Sequence, residues 1–152
     1  MIPTPPVNRI LETSLYVEVL DRSIEFYTRV FGFEVMLRDD RMCAMAVPER
    51  QVLLLFRKGG STKPSETPFG FIPPHDARGT QHLCFSITHS VLDAWLDHLK
   101  DLEIGIESRL DWSHRGSSLY FRDPDGHSVE VATSGLWPND PIQADRATTS
   151  AR

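Results

Sequence analysis

Ser117-Ser118-Leu119-Tyr120-Phe121-Arg122-Asp123-Pro124-Asp125-Gly126-His127-Ser128-Val129-Glu130-Val131 reads as two strands joined by a tight turn. Pro124 presets its own φ, and Gly126 accepts a positive φ that other residues resist. The flanking runs, Leu119 to Arg122 and Ser128 to Val131, are apolar or alternating, as strands are. One carboxylate, Glu130, stands between two valines in the second strand. A glutamate in that setting lies on an exposed face or does chemistry.

Upstream of this hairpin, the same order of elements occurs twice. Ile10 to Val17 alternates: Leu11, Thr13, Leu15 and Val17 face one way, and Glu12, Ser14 and Tyr16 the other. Asp21 is placed to cap a helix whose apolar stripe is Ile24, Phe26, Tyr27, Val30 and Phe31, with Gly32 as its terminator. Short strands follow near 33–38, 42–47 and 51–57. Residues 58–79, rich in glycine and proline, form a linker or a loop long enough to be functional or flexible. The pattern then restarts. Gln81 to Thr88 is a strand, with Leu83, Phe85 and Ile87 opposite His82, Cys84 and Ser86. Ser90 to Leu102 is a helix with the stripe Leu92, Trp95, Leu96, Leu99 and Leu102, and Gly105 follows it. Strands come near 104–109, 117–122 and 127–133.

The chain is thus an internal repeat of βαβββ modules. Module 1 spans about 8–58, the linker loop 59–79 and module 2 about 80–136. Together they form one α+β domain, residues 1–136, with a polar tail at 137–152. Each module is too small for a good core alone. The expected architecture is a curved, partly open mixed sheet with both helices on its convex face. The rows holding Glu12 and His82 then line the concave side.

Bulk properties narrow the function. Of 152 residues, 16 are Lys or Arg and 21 are Asp or Glu, a formal charge of −5 with no basic run, which points away from nucleic acid. No apolar run approaches the roughly 18 residues of a membrane span, and no signal segment opens the chain. Cys43 and Cys84 form no C-x-x-C pair, and both are expected as buried free thiols of a cytoplasmic protein.

The repeat also carries a spacing argument. Glu12 and His82 begin the first strand of each module, 70 residues apart, and Leu54 and Glu130 occupy matching places in the last strands, 76 apart. Three of these four positions are metal-ligand residue types, a three-ligand set with open positions.

On these residues the chain resembles the vicinal oxygen chelate superfamily: glyoxalase I, fosfomycin-resistance thiol transferases, extradiol dioxygenases, methylmalonyl-CoA epimerase and bleomycin-binding proteins. The resemblance covers roughly 8–136. It rests on Leu15 to Tyr27 leading into Phe31-Gly32-Phe33, on Gln81-His82-Leu83-Cys84-Phe85, and on the hairpin with Glu130. It implies the glyoxalase/dioxygenase-like fold, a homodimer, a small-molecule substrate, and one divalent metal ion (Mn, Mg, Fe, Ni, Co or Zn) on Glu12, His82 and Glu130. Leu54 stands where glyoxalase I has a fourth ligand, and Glu12 where dioxygenases and fosfomycin-resistance enzymes have histidine. One histidine with two carboxylates tilts toward a hard Lewis-acid ion.

The resemblance further implies substrate contacts from Ser118 and Tyr120, Tyr120 being the catalytic candidate. Ser14 shares the face of Glu12. His75 and Asp76 in the long loop, and His114 and Arg115 before the hairpin, are placed to close over a ligand, and Arg115 suits a carboxylate or phosphonate. His127 is a turn residue facing away from Glu130. The expected activity is isomerase, lyase or thiol-transfer chemistry on a substrate with vicinal oxygens. The alternatives are an extradiol-type dioxygenase and a metal-free protein that sequesters an aromatic or drug-like ligand.

Overall fold

The computed structural model describes residues 3–141. The chain divides into two compact units, Met1–Gly79 and Thr80–Arg152, and the expected tail from 142 onward lies outside the described residues.

In unit 1, β1 (Glu12–Val17) leads into α1 (Leu20–Phe31), followed by β2 (Glu34–Arg38), β3 (Met42–Val47) and β4 (Gln51–Arg57). The sheet order is β1-β4-β3-β2, with β1 parallel to β4 and the other pairs antiparallel. A helical crossover is what lets β1 reach a parallel partner. Helix α1 buries Leu20, Ser23, Phe26, Tyr27 and Val30 and packs on β3 and β4. Beneath it Leu15, Val17, Cys43, Met45, Leu53 and Leu55 make the core. Gly32, at φ 70°, ends the helix with its N–H on the Thr28 carbonyl, 2.9 Å away. The expected cap at Asp21 is not formed. The helix begins at Leu20, and Asp21 lies in its first turn, where its charge complements the helix dipole and pairs with Arg38. The turn into β3 is held by the Asp39 carboxylate, which accepts the N–H groups of Arg41 at 2.7 Å and Met42 at 2.9 Å.

The 58–79 segment has structure of its own. A small hairpin, β5 (Ser65–Thr67) with β6 (Gly70–Ile72), stands within it. Two bonds anchor the segment to itself: the His75 N–H donates to the Ser61 carbonyl at 2.9 Å, and Gly59 N–H donates to Asp76 Oδ1 at 3.1 Å.

Unit 2 repeats the wiring with β7 (His82–Ile87), α2 (Leu92–Asp101), β8 (Ser108–Asp111), β9 (Ser117–Arg122) and β10 (Ser128–Thr133), in the order β7-β10-β9-β8. Register confirms the equivalence of the modules. Ser14 pairs with Leu54 as Cys84 pairs with Glu130, so Leu54 and Glu130 hold the same place. Of the expected α2 stripe only Leu99 is fully buried; Leu92, Trp95, Leu96 and Leu102 are half-buried. The helix ends at Asp101 with Leu102 as its C-cap, and Glu103 rather than Gly105 takes the left-handed turn, at φ 56°. Glu103 and Ile104 donate their N–H groups to Lys100 and Leu99 carbonyls, which delays the next strand from the expected 104 to Ser108.

The opening hairpin behaves as its residues dictate. Gly126 sits at φ 80°, and Asp123 Oδ1 accepts the N–H groups of Asp125 at 3.0 Å and His127 at 2.9 Å. His127 is fully buried, and its Nδ1 accepts the Gln81 N–H at 2.9 Å, tying the turn to the start of β7.

Candidate functional site

Each unit carries a cavity on one face of its sheet. In unit 2 the cavity is about 590 Å³, and its floor is set by alternation along three strands: His82 and Cys84 from β7, Tyr120 from β9 and Glu130 from β10. His82 Nδ1 lies 3.1 Å from the Ser128 carbonyl, which can only accept, so the ring proton sits on Nδ1. That leaves the Nε2 lone pair facing Glu130 Oε2 at 3.2 Å. Two lone pairs at this distance require a cation between them, a proton or a metal ion. Glu130 is only 4% exposed, and its Oε1 is buried without a hydrogen-bond partner. A buried carboxylate with an unpaired oxygen is costly by several kcal/mol unless a positive charge offsets it. The backbone carbonyl behind His82 orients the imidazole as such partners orient metal-ligating histidines. The donor pair therefore fits a divalent cation.

Burial, then hydrogen bonding to and the charge of Glu130, hold the Tyr120 phenol above its ordinary value. Its ring stacks near His82, centroids 6.1 Å apart. The phenol is thus a proton holder and hydrogen-bond donor rather than a base. Desolvation of the sulfur among its cavity neighbours and the Glu130 charge likewise push the Cys84 thiol up to about 12, although the residue keeps an exposed face. Cys84 is exposed to the cavity, contrary to the expected buried thiol, because its strand face is the open one; Cys43 is buried as expected.

Ser118 is fully buried and accepts the Trp112 indole N–H at 2.8 Å, so it props the tryptophan from behind instead of facing the cavity. Arg115 does line the cavity, beside Trp112 and Trp137. Both tryptophans escaped the sequence reading. Trp137 stands one residue beyond the boundary drawn at 136, inside the supposed tail, and its aromatic character was the available signal. Trp112 directly precedes the Ser113-His114-Arg115 run.

In unit 1 the cavity is about 730 Å³, and Glu12, Ser14 and Tyr16 of β1 share its wall with Leu54. His75 lies here as well, its Nδ1 2.6 Å from the Tyr16 hydroxyl. The residues read as candidates thus fall into two sets: Glu12, Ser14 and His75 in unit 1, and His82, Arg115, Ser118, Tyr120 and Glu130 in unit 2. Among the described residues, no group of three His, Cys, Asp or Glu side chains is assembled to hold a metal; His82 with Glu130 is a pair.

The sequence model of the Glyoxalase/Bleomycin resistance protein/Dioxygenase superfamily matches residues 9–131. The chain belongs to this superfamily. A solved lactoylglutathione lyase from Agrobacterium tumefaciens is 36% identical, with 88% of this chain and 99% of that one covered and a TM-score of 0.80. Metallothiol transferase FosB from Shouchella clausii (strain KSM-K16) is 28% identical over 86% of this chain and 83% of its own. Catechol-2,3-dioxygenase from Bacillus subtilis (strain 168) is 27% identical over 77% of this chain but only 38% of its own. The expected fold, tandem βαβββ modules of the glyoxalase type, is that of the superfamily. The functional class read from the sequence is the class of these relatives. No helix among the described residues is long and apolar enough to cross a membrane.

Proposed function

We propose that the chain is a small divalent-metal-dependent enzyme acting in the cytoplasm on a small substrate with vicinal oxygens. The observation that carries this reading is the His82–Glu130 pair: a lone pair on Nε2 facing a buried carboxylate whose second oxygen has no partner. His82 and Glu130 would hold the ion, with Glu12 as the third protein donor, from the same chain or from a second copy in a homodimer. When bound, the ion would supply Lewis-acid stabilisation of an oxyanion. Leu54 offers no donor at the place equivalent to Glu130. The three-donor set therefore fits thiol transfer, isomerisation or a related lyase reaction better than the four-ligand site of glyoxalase I.

The chain's own residues do the rest. Trp112 and Trp137 flank the substrate and exclude water, Arg115 offers its guanidinium to an anionic group, and the protonated Tyr120 phenol donates to a developing oxygen charge. Ser118 keeps Trp112 in place. Ser14 and His75 contact substrate from the face that carries Glu12.

The test is metal analysis of protein purified without chelator, joined to Mn²⁺ titration calorimetry. Wild type is expected to carry one ion per chain, and His82→Ala and Glu130→Ala to weaken binding at least about tenfold. Equal trace metal in all three after dialysis would overturn the reading. It would favour the second one, a metal-free binding protein, for which the aromatic walls of Trp112 and Trp137 speak. Iron in the protein, with oxygen uptake on a catechol, would replace Lewis-acid chemistry with extradiol-type dioxygenation.

A further inference from the structure

The cavity of unit 1 has a polar layout of which the metal reading uses Glu12, Ser14 and His75 and leaves Arg41 and Tyr16 without a role. Three rungs of the sheet cross its floor. Glu12, Val52 and Ala46 form the first rung, Ser14, Leu54 and Ala44 the second, and Tyr16, Phe56 and Met42 the third, β4 supplying the middle residue of each. From the first rung to the third is four residues of strand, about 13 Å at the usual rise. A carboxylate stands at one end. The middle is apolar apart from Ser14. At the far end stand the hydrogen-bonded Tyr16–His75 pair and Arg41, whose carbonyl accepts the Arg57 N–H just past Phe56.

Arg41 is the unusual member. It is half-buried and lines the cavity, yet among the described residues its guanidinium meets no carboxylate; it donates to the Ser65 hydroxyl of the small hairpin. The nearby Asp39 carboxylate is already engaged by two backbone N–H groups. The arginine stem is held close against Gly60: a Cβ there would come within 2.8 Å of Arg41 Cγ and 2.9 Å of the Arg57 carbonyl. A cation positioned by a glycine and a hairpin over an apolar floor, without its own counter-ion, is a site for an oxyanion. The rings of Phe56 and His75, with centroids 4.5 Å apart in an edge-on arrangement, and that of Tyr16, wall the space beside it.

We propose that this cavity binds a carboxylate-bearing ligand with a flat apolar body, the carboxylate on Arg41 and the body along Phe56, Leu54 and Ala44. Tyr16 gives the site its polarity. Burial, and then the charge of Asp76, hold its phenol above the ordinary value, so the hydroxyl keeps its proton and shares a 2.6 Å hydrogen bond with His75 Nδ1. In the tautomer whose Nδ1 accepts this bond, the His75 ring proton is on Nε2, a second donor for an anionic group. The proposal goes beyond the metal reading: it rests on Arg41 and the Tyr16–His75 pair and needs no ion, so loss of that reading leaves it standing.

The probes are 3-phenylpropanoate and its uncharged counterpart 3-phenylpropanamide, titrated into the full chain by NMR and calorimetry. The carboxylate is expected to bind at least tenfold more tightly than the amide and to shift the His75 ring signals while leaving those of His82 in place. Arg41→Met should abolish the preference with the amide affinity unchanged, Arg41→Lys should keep part of it, and Arg115→Met in unit 2 should keep all of it. Shifts at His82 in place of His75, a preference lost in Arg115→Met, or no perturbation of His75 by either probe would overturn the proposal. The His75 signal decides the matter in wild type even if Arg41→Met fails to fold.

Discussion

Two histidines close in sequence position to the strands of unit 2 do opposite work. His127 is fully buried and spends its Nδ1 on the Gln81 N–H, closing the hairpin onto β7. His82 is half open, with Nδ1 occupied by the Ser128 carbonyl and Nε2 left facing Glu130. Replacing His127 with alanine removes an acceptor and opens a cavity, a loss expected at about 2–4 kcal/mol of stability. Urea denaturation checks it: the midpoint should fall with little change in slope. An unchanged midpoint would mean that the ring is dispensable for the turn. His82→Ala should leave stability nearly untouched, since its site is open to solvent, and should show itself in metal binding instead.

At the scale of elements, the hairpin that decides the fold is braced on its outer side. Arg122 near the end of β9 donates to the Glu107 carboxylate ahead of β8 and to the Gly126 carbonyl, the latter at 3.0 Å. Its hydrogen bond, and secondarily its charge, hold the Glu107 carboxyl below the ordinary value of 4.5. A carboxyl depressed in the folded state adds stability that is fully present above 4.5 and is lost as pH falls through the lowered value. Glu107→Gln should therefore show a shallower fall in thermal midpoint between about pH 5 and 3 than wild type, while matching its slope near neutrality. Parallel curves would remove this pair from the acid response. The pair is fully exposed, so the effect is a difference in slope rather than a large gap in stability.

For the whole molecule, the repetition itself carries the main consequence. The two units share strand order, parallel pairing and register, yet one places a carboxylate where the other has leucine. The third donor assigned to the ion, Glu12, belongs to the other unit from the His82–Glu130 pair. In unit 1 the edge strand β2 also exposes Val35, Met36 and Leu37 in succession, an apolar run that a lone soluble chain covers or charges. A homodimer is the expected state, and light scattering coupled to size exclusion should report twice the mass of one chain at micromolar concentration. A monomer at that concentration would remove the dimer from the proposal and assign Glu12 to its own chain.

Much of this protein was legible in its residues. Alternation on Glu12–Val17 and His82–Ile87, the glycine after α1, and the Asp-Pro-Asp-Gly turn are local signals. Local backbone preferences and two-residue periodicity act over a few positions and need no tertiary context. They yielded the two modules and the equivalence of Leu54 with Glu130. Helix ends were less legible, because Asp21 and Gly105 compete with neighbours that tertiary contacts favour. What only the folded chain decided was the company each side chain keeps: His75 against Tyr16, Arg41 beside Ser65, Trp112 propped by Ser118, and Trp137 in a cavity wall. Those partners lie far apart in sequence or sit in irregular segments, where no period records which way a side chain turns. The repeat and its ligand-type residues are written in the order of the chain; the charge states and partners that give them chemistry arise from burial, which only packing creates.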